Sequence, residues 1–230
     1  MSETPAPAAA RNLVVGAALD LFARHGFEAT SVEQIAQAAG MSRSTFFRQF
    51  GGKEDVVFAD HDVLLADLRQ WLDRGHDNPW VAVCDASQRA YRHFARDPQL
   101  ARRRYQIVRE VPALRDREIV TVFQYERLFD EYLRRSLPGV DPLDTVGFAA
   151  LVTALHNHVL RRLLRGTSRV PVSVLRTALD GALRRYGVHP EGGVHPDGDR
   201  AADDDVVVAV FPRRMPVAEM ARRVRDELDA

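Results

Sequence analysis

Hydrophobic positions recur along this chain at the three-and-four spacing of helices rather than in the alternation of strands. Beyond Arg11, the residues Val14, Ala17, Ala18, Leu21 and Phe22 fall on one face. Gly26 ends that segment where a left-handed residue is needed, and Phe27 can fold back onto the apolar face. Ser31 followed by Gln34 predicts a capping box, opening a short helix through Ile35, Ala36 and Ala39 that Gly40 stops. Ser42 caps a third helix, Arg43 to about Gln49, which Phe50-Gly51-Gly52 closes. A single longer helix is predicted from Lys53 to about Arg74, with Val56, Val57, Leu64, Leu65, Leu68 and Leu72 apolar, until Gly75 to Pro79 breaks it. Further helices are predicted at about 80–96, 99–109, 113–136, 143–165 and 172–186. Asp97-Pro98, Val111-Pro112, Pro138-Gly139 with Pro142, Gly166 to Pro171, and Gly187 punctuate them.

The ends read differently. Residues 1–9, rich in Ala and Pro, are expected to be disordered. Residues 188–205 form a Gly/Pro/Asp-rich linker. Beyond it Val206 to Phe211 (VVVAVF) has a buried-strand signature, and Pro216 to about Leu228 an amphipathic helical one. The expected fold is therefore all-α: a three-helix N-terminal domain at 10–56 and a C-terminal helical bundle at 57–187, to which the family resemblance given below assigns ligand binding and dimerisation. A short strand-helix extension follows at 206–230. An isolated strand needs a partner edge, so the extension is expected to pair across a dimer or to cover the bundle.

Composition narrows the class. The chain has 230 residues, 46% of them hydrophobic, enough for a substantial core. No apolar run approaches the roughly 18 residues of a membrane span, and the opening MSETPAPAAA lacks the pattern of a signal peptide. A cytoplasmic location without membrane partners is expected. One cysteine, Cys84, excludes an internal disulfide framework and any multi-cysteine metal site. His156 and His158 stand two apart on a helix and point to different sides, so they do not chelate together. No nucleophile–base pair or phosphate loop supports an enzyme, and neither cofactor nor metal is expected.

Net charge is zero, which at first argues against nucleic acid. The distribution matters more: between Met41 and Lys53 stand Arg43, Arg48 and Lys53, with no acidic residue. Two short helices joined by Ala39-Gly40-Met41-Ser42 suit a helix-turn-helix, whose second helix enters the major groove. Arg43, Ser44, Phe47 and Arg48 are expected to face outward, with Phe46 and Phe50 inward. Arg43 suits a bidentate contact to guanine. Ser31, at a helix N-terminus, and Lys53 are candidates for phosphate contacts, with Thr30, Ser42 and Thr45 as further hydroxyl-bearing residues at the interface.

The stretch from Ala17 to Val57 resembles the N-terminal domain of TetR-family repressors. The resemblance rests on A-x-x-L-F, G-F-x-x-T-S, I-A-x-x-A-G, S-x-x-T-F and F-x-x-K-E-D. It implies a homodimer on a near-palindromic double-stranded DNA operator, released when a small hydrophobic effector fills the helical domain. Phe47 departs from the tyrosine common in the family, which removes one phosphate-reaching hydroxyl. Gly51-Gly52 replaces a proline–serine pair and is expected to loosen that corner.

Residues 80–187 carry no family-specific motif. Trp80, Cys84, Tyr91, Phe94, Tyr105, Phe123, Phe148 and His156 are candidates to line an effector pocket, as ligand sites are mostly apolar with few polar groups. The helices at 143–165 and 172–186 are apolar and rich in small residues, as a dimer interface requires. Two alternatives stay open. One is a helical protein-interaction module that has lost specific DNA binding; the other is a variant sensing an acyl-coenzyme A through Arg102-Arg103-Arg104.

Overall fold

The structure, a computed structural model, describes residues 8–166 and 169–188, together with Glu219, Arg222 and Arg223. Among the described residues there are ten α-helices and no strand. They are α1 (Ala8–His25), α2 (Val32–Ala38), α3 (Arg43–Phe50), α4 (Lys53–Val57) and α5 (Ala59–Leu72), then α6 (Pro79–Arg96), α7 (Pro98–Glu110), α8 (Pro112–Ser136), α9 (Pro142–Arg165) and α10 (Val172–Arg185). The strand read at 206–211 lies outside the described residues, and of the helix at 216–228 only Glu219, Arg222 and Arg223 are described, as helical. Ala8 and Ala9, expected to be disordered, already belong to α1, since alanine is the strongest helix former.

Local chemistry sets the helix ends. Proline opens α6, α7, α8 and α9, where its fixed φ suits the first turn and its missing N–H costs nothing. The side chains of Asn78, Asp97 and Asp141 accept hydrogen bonds from the backbone N–H groups of Trp80, Leu100 and Leu143, at 3.0, 2.9 and 2.9 Å. Gly26, at φ 82°, terminates α1 in the left-handed region, and Phe27 folds back to bring its ring within 5.0 Å of Phe22.

The helix expected from Lys53 to Arg74 is in fact two. α4 ends at Val57, and Phe58, at φ −111° and ψ 9°, separates it from α5. A straight amphipathic helix buries one stripe, whereas Val56, Val57, Phe58, Ala59 and Asp60 are all buried in succession. The break lets consecutive side chains point inward, which a continuous helix forbids.

The chain packs as two compact units. The first holds the described residues up to Asp67 together with Asp97–Thr121; the second holds Leu68–Arg96 and the described residues from Val122 onward. In the first, Val15, Leu19, Ile35, Phe46 and Val56 are closed off by Ile107, Val108 and Leu114 from the later segment. Two arginines of the Arg102–Arg104 run serve this unit. Arg103 pairs with Asp20 of α1, and Arg104 Nη2 donates to Asp60 Oδ2 at 2.7 Å, with both side chains buried. In the second unit α6, α9 and α10 pack mutually around Tyr91, Phe148, Leu163, Leu175 and Leu179. Among the described residues, no helix is long and apolar enough to cross a membrane.

Candidate nucleic-acid interface

The turn between α2 and α3 is built from backbone hydrogen bonds. Gly40 sits at φ 68°, its N–H donates to the Gln37 carbonyl at 3.1 Å, and Met41 N–H donates to Ala36 at 2.9 Å. The capping box at α2 is complete: Ser31 N–H donates to Gln34 Oε1 at 2.8 Å, and Gln34 N–H to Ser31 Oγ at 3.3 Å. Ser42 caps α3 by accepting from Thr45 N–H at 3.2 Å, and its hydroxyl lies 3.0 Å from Ser44 Oγ and 2.9 Å from Thr45 Oγ1.

α3 is two-sided. Phe46 and Phe50 are buried with ring centroids 5.2 Å apart, while Arg43, Ser44, Phe47 and Arg48 are exposed. Residues 43 and 47, and 44 and 48, are one turn apart, so the four form a continuous strip along the helix. Phe47 is a rarity for a surface residue, 42% exposed, with the Arg43 guanidinium 5.5 Å from its ring centre. Arg43 also pairs with Glu33 of α2, Nε to Oε1 at 2.8 Å.

The remaining candidates divide. Ser31 and Ser42 are exposed and Thr45 is half-buried. Thr30 is turned inward instead: it is 2% exposed and its hydroxyl donates to the Gly26 carbonyl at 2.8 Å, closing the end of α1. Lys53 is largely committed to the fold, its ammonium donating to the Phe27 carbonyl at 3.0 Å and lying 4.3 Å from that ring's centre. This brace crosses the corner that Gly51-Gly52 was expected to loosen. Gly51 caps α3 at φ 80°, where a β-carbon would stand 2.9 Å from Asp55 Oδ2.

The effector candidates fall into separate groups. Trp80 and Phe148 meet edge-on at 4.8 Å, and Tyr186, which sequence reasoning missed, completes the cluster at 5.5 and 5.0 Å. Tyr91 donates its hydroxyl to the Val170 carbonyl at 2.7 Å, and its ring lies 6.2 Å from His156. His156 Nδ1 lies 3.1 Å from the Ser87 carbonyl and 3.3 Å from the Ser87 hydroxyl. Burial pushes its pKa down to about 4, against the opposing pull of the Ser87 hydrogen bond. Burial, reinforced by Asp85 and Asp180, pushes the Cys84 thiol far up, leaving it inert. Phe94 is buried in α6, Phe123 is half-buried in α8, and Tyr105 belongs to the first unit on α7. A cleft of about 540 Å³ within the second unit is lined instead by Leu72, His76, Pro79, Tyr132 and Arg135, with the Asp73–Arg135 ion pair at its edge.

Comparison with known proteins decides the class of the first unit. Residues 14–59, from the core of α1 through α4, match the family described as "Bacterial regulatory proteins, tetR family". The N-terminal domain belongs to the TetR family. The TetR-family regulator MftR of Mycobacterium tuberculosis, named for mycofactocin biosynthesis, is 45% identical over 56 residues, 24% of this chain and 28% of its own. RutR of Escherichia coli is 31% identical over 107 residues, 46% of this chain and 45% of its own. The chain thus matches less than half the length of these curated relatives. They are transcriptional regulators and not enzymes. Beyond the N-terminal domain the likeness is one of fold: the SmeT–triclosan complex superposes with a TM-score of 0.57 at 19% identity, covering 83% of this chain and all of that one.

Proposed function

We propose that the protein is a ligand-responsive TetR-type transcriptional regulator, acting as a repressor that binds a palindromic operator as a homodimer. The observation that carries this reading is the exposed strip Arg43–Ser44–Phe47–Arg48 on α3, backed by the buried Phe46 and Phe50 and anchored by the Ser42 cap. Arg43, Ser44 and Arg48 read base edges; Ser31, Ser42 and Thr45 approach phosphates; Phe47 gives apolar contact to a thymine methyl or sugar. Lys53 acts first by bracing the α3–α4 corner, and Thr30 by closing α1. α9 and α10 supply the dimer contact, because a helix-turn-helix needs two copies to reach half-sites about 34–36 Å apart. A small hydrophobic effector in the helical bundle shifts the population toward a spacing that no longer fits the operator. SmeT, a protein of this fold, forms a complex with triclosan, which supports a small-molecule effector here. Of the Arg102–Arg104 run behind the acyl-coenzyme A variant, Arg104 is buried against Asp60, while Arg103 pairs with Asp20 and stays about half exposed.

Mobility shift on the duplex upstream of the protein's own coding sequence tests this reading. Six to ten phosphate contacts would weaken binding roughly 10³–10⁵-fold between 50 and 200 mM salt. A flat salt response, or equal affinity for unrelated duplex, would favour the protein-interaction module, to which the exposed Phe47 would then belong.

A further inference from the structure

Glu33 stands out beside the strip on α3. It lies in the first turn of α2, and a carboxylate close to the phosphates of bound DNA opposes binding. As an acid in the first turn of α2 it suits the positive end of that helix, but its side chain is about half exposed and helps to bury no core.

Its contacts point elsewhere. Glu33 Oε1 is 2.8 Å from Arg43 Nε, across the turn from α2 to the first residue of α3. A hydrogen bond from its own backbone, another from Ser31 and the charge of Arg43 together hold its carboxyl below the usual carboxylate range, so it stays ionised. The Arg43 guanidinium also lies over the Phe47 ring, 5.5 Å from its centre. The guanidinium therefore has both a carboxylate and an aromatic face as neighbours. Exposed ion pairs contribute little to stability, so the consequence of this arrangement is to be sought in recognition.

We propose that Glu33 is a positioning residue for base reading: with Phe47 it holds the Arg43 guanidinium in place for a base edge and away from the nearest phosphate. This inference rests on the DNA-binding reading above. An arginine fixed before binding gives up less rotamer freedom on reaching its base. An arginine left loose is drawn to the phosphates, which carry no sequence information. The charge of Glu33 adds to the effect by weakening attachment to DNA of any sequence. Both consequences raise the ratio of specific to non-specific binding.

The test is selection from a random-core double-stranded DNA library with wild type, Arg43→Ala, Glu33→Gln and Phe47→Ala, each checked for an unchanged melting curve. Wild type should enrich a guanine at one half-site position, and Arg43→Ala should lose that preference. Glu33→Gln should keep the motif but lower the preference at that position by roughly three- to tenfold, part of what a good arginine–guanine pair supplies. It should also bind unrelated duplex more tightly, and Phe47→Ala should weaken the same position. An unchanged preference at that position in Glu33→Gln overturns the proposal, as does a loss spread evenly over all positions. A wild type that enriches no sequence would instead overturn the DNA-binding reading, before the Glu33 variant is compared.

Discussion

Replacing Arg104 by methionine keeps most of the apolar stem and removes the charge that faces Asp60. The two groups meet at 2.7 Å, with side chains only 8% and 6% exposed. At that separation and an effective dielectric near 20, their attraction is about 6 kcal/mol. Burying each ion costs several kcal/mol, so the intact pair is close to neutral overall. Its deletion is not neutral, because Asp60 keeps its desolvation and loses its partner; the expected loss is about 3–5 kcal/mol. His61 adds to it, since its Nε2 lies 3.3 Å from Arg104 Nη1, and a guanidinium, which only donates, requires that nitrogen to accept. Against a total domain stability of about 5–15 kcal/mol, such a loss leaves the first unit marginal. Urea denaturation at fixed protein concentration, followed by far-UV circular dichroism, measures it. The double variant Arg104→Met with Asp60→Leu should recover most of the loss, since a buried pair replaced by apolar residues is often neutral or better. A single-variant loss below about 1 kcal/mol, or no recovery in the double variant, would refute the argument that this pair is a buried, mutually dependent one.

Gly147→Ala would place a β-carbon 2.9 Å from the Tyr186 hydroxyl, which must shift within its ring cluster with Trp80 and Phe148, a cost offset in part by the roughly 1 kcal/mol that alanine gains over glycine inside a helix. Thermal unfolding should show a loss of about 1–3 kcal/mol, relieved in part by Tyr186→Phe. Glu126 is raised to about 7 by burial and then by Asp130. The protonated folded form therefore adds stability that is full below pH 4.5 and lost as pH rises through 7. Glu126→Gln should match wild type at about pH 4 and exceed it by about 1 kcal/mol at about pH 8, after discounting for solvent screening; an equal difference at both pH values would remove the titration from the explanation. Lys53→Met should lower stability by about 1 kcal/mol through the lost Phe27 hydrogen bond. If melting is unchanged while the salt slope of DNA binding falls by about one unit, Lys53 contacts phosphate and does not brace.

Much of the first unit was legible in the linear order of residues. The capping box Ser31/Gln34, the Ser42 cap, the turn at Gly40 and the inward Phe46 and Phe50 each depend on residues within a few positions of one another. The TetR motifs extended that legibility to the identity of the domain. The same locality explains what went unread. Periodicity joined α4 to α5, because the need to bury Val56 through Asp60 in succession comes from packing on both sides. The Arg102–Arg104 run left an acyl-coenzyme A site open as an alternative, and only folding brings Asp20 and Asp60 to two of its arginines. Thr30 and Lys53 looked like donors for DNA, and their acceptors, Gly26 and Phe27, are carbonyls that no sequence pattern marks as facing them. Glu33 drew no notice, since its distance from Arg43 matches no helical spacing and closes only when the turn folds. The sequence by itself determined most of the helices, the caps of α2 and α3 and the kind of N-terminal domain, because those follow from short-range backbone chemistry. Which charges remain available to a partner and which are consumed inside the protein was decided only by the tertiary structure, because pairing energy depends on distance in space and on exclusion of water.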